Sequence, residues 1–433
     1  MAMDRGKSIA KRAAVSGYGV QAQYADSAKA LVAAIEQGKK VKGTPFLTAK
    51  ADIEMFKMAG NPLYVPHPAQ PTAERTFSIA FVQGMLENVI QQALMMAGCT
   101  EKNLQGEGVR VYISCTGMRA DMADFFGYQD CNDKLDLRFN PQIQRLSAQS
   151  YGQDVLMSAL SERYRLSCAP TLLYCASSSS MATLHLAQKA IAQGVINKAL
   201  VIGWTNFTLQ DLFFLGLQGL LSSSGKVQPF SSESAGMLLS NGAAAVLLES
   251  ETSAWQRGQR PDIFLHHTVM HQSGGTRSGL DFRGIAATMQ NVLEQAELAP
   301  EAIGCVFPHG NGIYSGDKSE AMALLKLWGE NGVPVVTYKG QIGYFSTCSS
   351  LLDIMIAADA LRKKRVLAFN THCPLDEKLT LRFHADQAPL PLHSPHILKT
   401  AIGLDGSVVA GVISRDVGDV KHDRLRGVSD DNL

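Results

Sequence analysis

The sequence predicts layers of helix and sheet, an α/β fold. Two observations predict it. Short apolar runs alternate with stretches of helical period in both halves of the 433-residue chain. Hydrophobic residues make up 46% of the chain and charged residues 18%, which suits a large core. The length fits two domains or one large compact one.

In chain order, Ala13 to Val20 reads as a buried first strand. Ala28 to Gln37 reads as a short helix with Leu31, Ala34 and Ile35 on one face. Residues 39–71 mix prolines and glycines and predict a cap or insertion. Phe77 to Gly98 is the clearest early helix, because Ile79, Val82, Leu86, Val89, Ile90 and Ala93 share a broad face. Met85, Met95 and Met96 read as soft core packing beside it. Arg110 to Cys115 is a strand, and Gly117 marks a turn flanked by Thr116 and Arg119. Asp121 to Asp130 gathers Met122, Phe125, Phe126 and Tyr128, a cluster suited to a core or an interface. Gln149 to Leu160 returns to helical spacing, and Arg163 to Pro170 leads into a strand.

Lys198 to Ile202 and Ala243 to Glu249 are apolar strands that close the first half. Beyond a turn at Arg257 to Pro261, Ile263 to Met270 is a strand, and His271 to Arg283 is a glycine-rich surface loop. Ile285 to Leu298 is an amphipathic helix, and Gly304 to Phe307 a short strand. A helix over Lys318 to Trp328 precedes strands at Val335 to Tyr338, Val366 to Phe369, Ile397 to Thr400 and Ser407 to Ile413. His393 and His396 precede the third of these and read as solvated. Residues 416–433 form a charged tail, disordered or lightly packed.

The formal net charge is +1, so nothing calls for nucleic acid or an anionic membrane as partner. The 8 cysteines are scattered without a Cys-x-x-Cys pair. Buried free thiols in a reducing compartment are expected, with no metal site and no cofactor. No run of eighteen apolar residues offers a membrane span, and the basic N-terminus has no apolar core behind it. A cytoplasmic protein is expected.

Three stretches carry chemistry. Leu172 to Ala192 passes from an apolar run through four serines, Ser177 to Ser180, into a helix. Serines there can simply cap the helix. Equally, an attacking oxygen held there gains from free N–H groups and the helix dipole. The second stretch is Pro308-His309-Gly310-Asn311-Gly312, with Gly316 and Asp317 following. A histidine after a strand and before two glycines is a poor core filler, yet histidine is often partly buried. The third is Lys339-Gly340-Gln341-Ile342-Gly343-Tyr344.

Together these stretches resemble the beta-ketoacyl synthases over roughly residues 10 to 415. Ala176-Ser177-Ser178-Ser179 followed by Leu184-His185-Leu186-Ala187 matches the family's nucleophile region. Ser177 takes the place of the nucleophilic cysteine, and Cys175 lies two residues too early. Leu220-Leu221-Ser222 and Lys226 to Phe230 match further blocks, and His309 matches the first catalytic histidine. Tyr344 stands where the family has its second histidine, and Asn241 where it has a supporting glutamate. Lys339 is kept and is expected to pair with Asp317. Gly403-Leu404-Asp405-Gly406 keeps part of a glycine-rich gate.

The resemblance implies a thiolase-like five-layer α-β-α-β-α fold with two pseudo-duplicated halves, here 10–250 and 262–415. It implies an aromatic loop at Trp204 to Gly219 beside an acyl pocket, with Phe125, Phe207 and Phe213 among its walls. Active members condense acyl chains delivered on the phosphopantetheine of an acyl carrier protein. With cysteine, one histidine and the glutamate replaced, the resemblance implies a chain-length-factor-like partner subunit. Such a subunit would pair with an intact ketosynthase and shape the acyl tunnel in fatty acid or polyketide biosynthesis. The alternative is an acyltransferase in which His309 activates Ser177 and the amides of Ser177 and the Gly403 loop receive the oxyanion.

Overall fold

The computed structural model describes residues 11–22, 25–41, 43–45, 64–66, 79–117, 153–207, 209–222, 224–233, 236–272 and 281–416. The predicted cluster at 121–130, with Phe125, and the charged tail beyond 416 lie outside them. So does most of 39–71, apart from residues 39–41 and the antiparallel pair of β2 (Gly43–Pro45) and β3 (Tyr64–Pro66).

Strand β1 (Ala13–Gln21) and helix α1 (Ala28–Glu36) open the chain, the helix capped by Ser27 Oγ accepting the Ala30 N–H at 3.3 Å. Helix α2 (Ile79–Met96) lies directly on β1. The closeness explains the strand's glycines: a Cβ at Gly17 would stand 2.1 Å from the Ala93 carbonyl oxygen. Met85 is buried as expected, but Met95 and Met96 are exposed. They fall on the far side of α2, where the apolar stripe has turned away.

Then come β4 (Val109–Ser114), α3 (Gln153–Tyr164), β5 (Thr171–Leu173), α4 (Ser179–Ala192), β6 (Lys198–Thr205), α5 (Leu209–Leu217), β7 (Gly242–Ser250) and α6 (Glu251–Gln256). The second half runs β8 (Ile263–Gln272), α7 (Phe282–Gln295), β9 (Cys305–Phe307), α8 (Tyr314–Trp328), α9 (Lys339–Ile342), α10 (Ser349–Lys363), β10 (Arg365–Val366), β11 (Leu390–Pro391), β12 (His396–Ile402) and β13 (Ser407–Arg415).

Nine strands join in the order β5-β4-β6-β7-β1-β8-β13-β12-β9. The two halves repeat one plan. In the first, β4 runs parallel to β5 and β6, and β7 is antiparallel to β6 and β1. In the second, β9 runs parallel to β12 and bridges Val335 in parallel, and β13 is antiparallel to β12 and β8. The halves meet where β1 pairs with β8 at Ala13–Leu265 and Ala14–Phe264.

Helices α4 and α10 fill the space between the halves. Helix α4 touches β4, β6 and β7 on one side and β8 and β13 on the other. Helix α10 is buried on nearly all its faces, as a helix enclosed by two sheet halves must be. Helices α2 and α3 cover the first half, and α7 and α8 the second. The result is α-β-α-β-α.

Four expectations change. Val335 to Tyr338 makes only isolated bridges, at Val335, and Tyr338 already caps α9. Of the Val366 to Phe369 strand, β10 pairs with β11 alone, outside the large sheet. The expected loop at 204–219 contains helix α5. His396 is half-buried within β12, its Nδ1 2.7 Å from Ser414 Oγ, rather than solvated.

Candidate functional site

Equivalent ends of the two halves meet at the site. After β5 the chain turns sharply, with Ala176 in the left-handed region at φ 42°. Two of the four serines hold this turn and a third anchors the helix that follows it. Ser178 Oγ donates to the Cys175 carbonyl at 2.9 Å, and Ser179 Oγ accepts the Cys175 N–H at 2.8 Å. Ser180 Oγ accepts the Ser350 N–H at 3.2 Å and so ties α4 to α10. Ser177, half-buried, instead lines a cavity of about 440 Å³. Cys175 is buried in the turn, and loss of solvent raises its thiol pKa.

His309 enters the same cavity from the end of β9. Its own N–H and that of Gly310 donate to the two oxygens of Glu320, at 2.8 and 3.0 Å. Glu320 is buried on α8 and also accepts the Thr400 hydroxyl. The imidazole is buried, and burial, aided by the charges of Lys339 and Lys399, holds its pKa well below the usual histidine range. It is neutral at pH 7.

Lys339 does not pair with Asp317. Its Nζ is 3.1 Å from Asp353 Oδ2 on α10, and Lys399 Nζ is 2.8 Å from the same oxygen. Both ammonium groups also donate to the Pro308 carbonyl, at 3.4 and 3.1 Å. Burial opposes the charge of Asp353, but the two lysines prevail and its pKa stays below the usual carboxylate range. Burial brings Lys399 down to about 8. Asp317 meanwhile accepts the N–H groups of Phe230, Asn311 and Gly312 at 2.8, 3.1 and 3.2 Å. It shapes the glycine turn, and burial pushes its carboxyl up to about 7. Sequence reading missed Glu320, Asp353 and Lys399. The signal was present: Asp353 is the one charged residue in the run SSLLDIMIAA, whose neighbours are otherwise small or apolar.

Tyr344 stands edge-on to His309, the ring centroids 5.8 Å apart and the planes at 86°. The side chain is 1% exposed. Ser177 and Asn311 stand beside its hydroxyl, yet neither reaches hydrogen-bonding geometry, and among the described residues the buried oxygen has no partner. Burial raises its pKa far above the ordinary tyrosine value, so it remains a neutral phenol.

The other expected residues divide. Phe207 lines the cavity with Phe214, Leu215, Met237, Leu239 and Ile313. The side chain of Phe213 lies outside the described residues. Asn241 is exposed and lies outside the cavity lining; its Oδ1 accepts the Phe207 N–H at 2.9 Å and so fixes the loop behind the site. Gly403 lines the cavity and Gly406 does not. Their amides are used within the turn: Gly403 N–H donates to the Ser407 carbonyl at 2.8 Å, and Gly406 N–H to the Gly403 carbonyl at 3.1 Å. The amide expected to receive an oxyanion at Gly403 is therefore occupied. Ser177 and His309 share the cavity, but no hydrogen bond joins them among the described residues.

No cluster of histidine, cysteine or carboxylate side chains among the described residues could hold a metal ion. The seven described cysteines are free thiols. Among the described residues no helix is long and apolar enough to cross a membrane.

A duplicated five-layer fold, with its cavity where the two halves meet, defines a thiolase-like protein. The chain belongs to the beta-ketoacyl synthase family. The family's N-terminal domain matches residues 68–254, and its C-terminal domain matches residues 266–373. Lovastatin diketide synthase mokB of Monascus pilosus is 25% identical over 286 residues, which is 65% of this chain and 11% of that protein. The chain thus spans about a tenth of that relative's length. Among solved structures, the ishigamide ketosynthase/chain length factor superposes with a TM-score of 0.79 at 18% identity, covering 94% of this chain and 99% of that one. A type II polyketide synthase acyl carrier protein in complex with its ketosynthase bound to the hexaketide gives 0.76 at 18% identity, covering 94% and 99%.

Proposed function

We propose that this chain is a chain-length-factor-like partner subunit of a ketosynthase heterodimer in polyketide or fatty acid biosynthesis. The observation that carries the reading is Tyr344. At the position matching the family's second histidine, the cavity holds a buried neutral phenol. A phenol that titrates far above neutrality cannot exchange protons with a substrate at pH 7. Among the described residues the nucleophile position carries a hydroxyl without a bonded base, and Asn241 lies outside the cavity lining. In this reading residues 10–250 and 262–415 are the two ketosynthase-like halves. The complex accepts acyl chains from the phosphopantetheine of an acyl carrier protein, in the cytoplasm, and Phe207 limits tunnel length.

The acyltransferase reading keeps one observation in its favour, the shared cavity of Ser177 and His309. One experiment separates the two. The chain is co-expressed with an intact ketosynthase and loaded with acyl carrier protein thioester, and Ser177→Ala is compared with wild type by intact mass and product yield. The partner reading expects no adduct on this chain and product within about twofold of wild type, since losing the hydroxyl changes little else at the helix terminus. An adduct on wild type that vanishes in Ser177→Ala, together with its product, overturns it. Phe207→Ala should lengthen the products, each methylene admitted being worth about 0.8 kcal/mol.

A further inference from the structure

A second cavity lies at the opposite end of β12 and β13 from the first. Ile402 and Asp405 line the first, at the turn that joins the two strands. Pro395 and Arg415, at the other ends of those strands, line the second, a space of about 330 Å³ beside the C-terminus of α10. The seven residues of β12 set the two roughly 20 Å apart.

The apolar part of this lining is Leu361 and Leu392, both buried, with Pro395. The basic part is Lys364, His393 and Arg415. Lys364 and His393 are exposed, and among the described residues neither side chain has a protein partner. Arg415 is half-buried and held through one nitrogen: its Nη1 donates to the carbonyls of Leu361 and Arg362, each at 3.3 Å. Those carbonyls belong to the negative end of α10, so the guanidinium offsets the part of the helix that would repel an anion. The Lys364 and Pro395 carbonyls are likewise spent, on the N–H groups of Leu392 and Arg415, both at 2.8 Å. The Arg415 Nε and Nη2 donors have no partner among the described residues. They form one edge of the guanidinium, a fork that can meet two oxygens of an oxyanion at once.

Charge narrows the ligand further. One carboxylate, Asp416, borders the cavity, and Arg12 Nη2 lies 2.9 Å from its Oδ2 and offsets it. The fixed charges left facing the space are those of Lys364 and Arg415, and two cations favour a dianion over a monoanion. Lys364 also ends α10 at φ 50°, a conformation that glycine adopts at least cost. The chain thus carries an ammonium at the cavity where backbone geometry alone would favour glycine.

We infer that this cavity binds a small organic phosphate monoester. The phosphate lies among the Arg415 fork, the Lys364 ammonium and the His393 imidazole, and a short apolar body rests on Leu361, Leu392 and Pro395. The volume is at the low end for small-molecule sites, so the body is a few carbons long. Binding is noncovalent. The site is independent of the proposed function, because none of its residues lines the cavity of Ser177 and His309.

The test uses the full chain and three probes, propyl phosphate, inorganic phosphate and butyrate, titrated by calorimetry at pH 8, where the phosphates are dianions. Propyl phosphate should bind about fourfold or more tightly than inorganic phosphate, the worth of one buried methylene. It should bind at least about tenfold more tightly than butyrate, which has one charge and two oxygens. Lys364→Gly removes the ammonium and takes the left-handed position without strain, so it should melt no lower than wild type. Its affinity for propyl phosphate should fall about tenfold, the worth of one charge-assisted hydrogen bond. The inference fails if propyl phosphate does not bind, or if inorganic phosphate or butyrate binds as tightly. It also fails if Lys364→Gly binds propyl phosphate as well as wild type, which would place the binding elsewhere. The order of the probes on wild type is read independently of the variant.

Discussion

Asp353→Asn probes the charge network behind His309. Asp353 accepts from two lysines whose side chains are 3% and 1% exposed. Asparagine keeps the shape and one acceptor but leaves two buried cations facing a neutral amide. Removing one partner of a buried ion pair costs about 3–5 kcal/mol. An unfolding entropy of about 2.1 cal/mol/K per residue, taken over a 433-residue chain, comes to roughly 0.9 kcal/mol/K. The melting temperature should then fall by roughly 3–6 °C at pH 7. The loss also has a pH signature. Lys399 releases its proton at about 8 in the folded chain, below the 10.5 of an ordinary lysine. The unfolded chain therefore holds more protons between those values, and this group adds stability as pH rises through them. Without the Asp353 charge the folded value drops further and the window widens downward. The deficit of the variant should shrink from pH 7 to pH 10. Thermal melts across that range test the reasoning. A variant within 1 °C of wild type at pH 7, or a deficit that does not change with pH, would refute it.

Gly343→Ala should strongly reduce folded yield, because φ is 80° there and a Cβ would stand 1.8 Å from Ser240 Oγ; soluble expression equal to wild type would contradict this. Glu320→Gln turns one acceptor facing the His309 and Gly310 N–H groups into a donor, which should cost about 1–3 kcal/mol in urea unfolding. A bulge at His266 brings consecutive histidines together, with His267 Nδ1 2.8 Å from His266 Nδ1, a contact that needs one of them neutral. Burial, His266 and Lys189 bring His267 down to about 4, so the unfolded chain takes up its proton first, and stability should fall as pH drops from 6.5 to 4. His267→Gln should flatten part of that slope in melts at stepped pH, and an unchanged slope would exclude this residue as its source.

The strand and helix order was legible because burial writes a period into the chain, as in the fully buried β7 and the one-sided face of α2. The serine turn and His309 stood out by local pattern but gained their roles, as Tyr344 did, only through the family resemblance, and all three regions reach one cavity. Segments whose burial came from surroundings other than a sheet were misread. Val335 to Tyr338 is apolar because the core encloses it, although it makes no continuous ladder.

Partnership between distant residues was beyond the sequence. Sequence reading paired Lys339 with Asp317, and only the packing of α10 against the site gave it Asp353 instead. Asn241 matched a supporting position in order along the chain, yet its side chain turns to the Phe207 amide. The Gly403 amide looked free until the turn between β12 and β13 closed it onto Ser407. By itself the sequence determined which segments are buried, because periodicity and turn chemistry act over a few residues, and the family resemblance of its motifs marked which residues reach the site. Tertiary structure decided which charge is neutralised by which, which amide is spent, and that one tyrosine hydroxyl has no partner among the described residues, because those outcomes depend on ångström-scale distances between segments far apart in the chain.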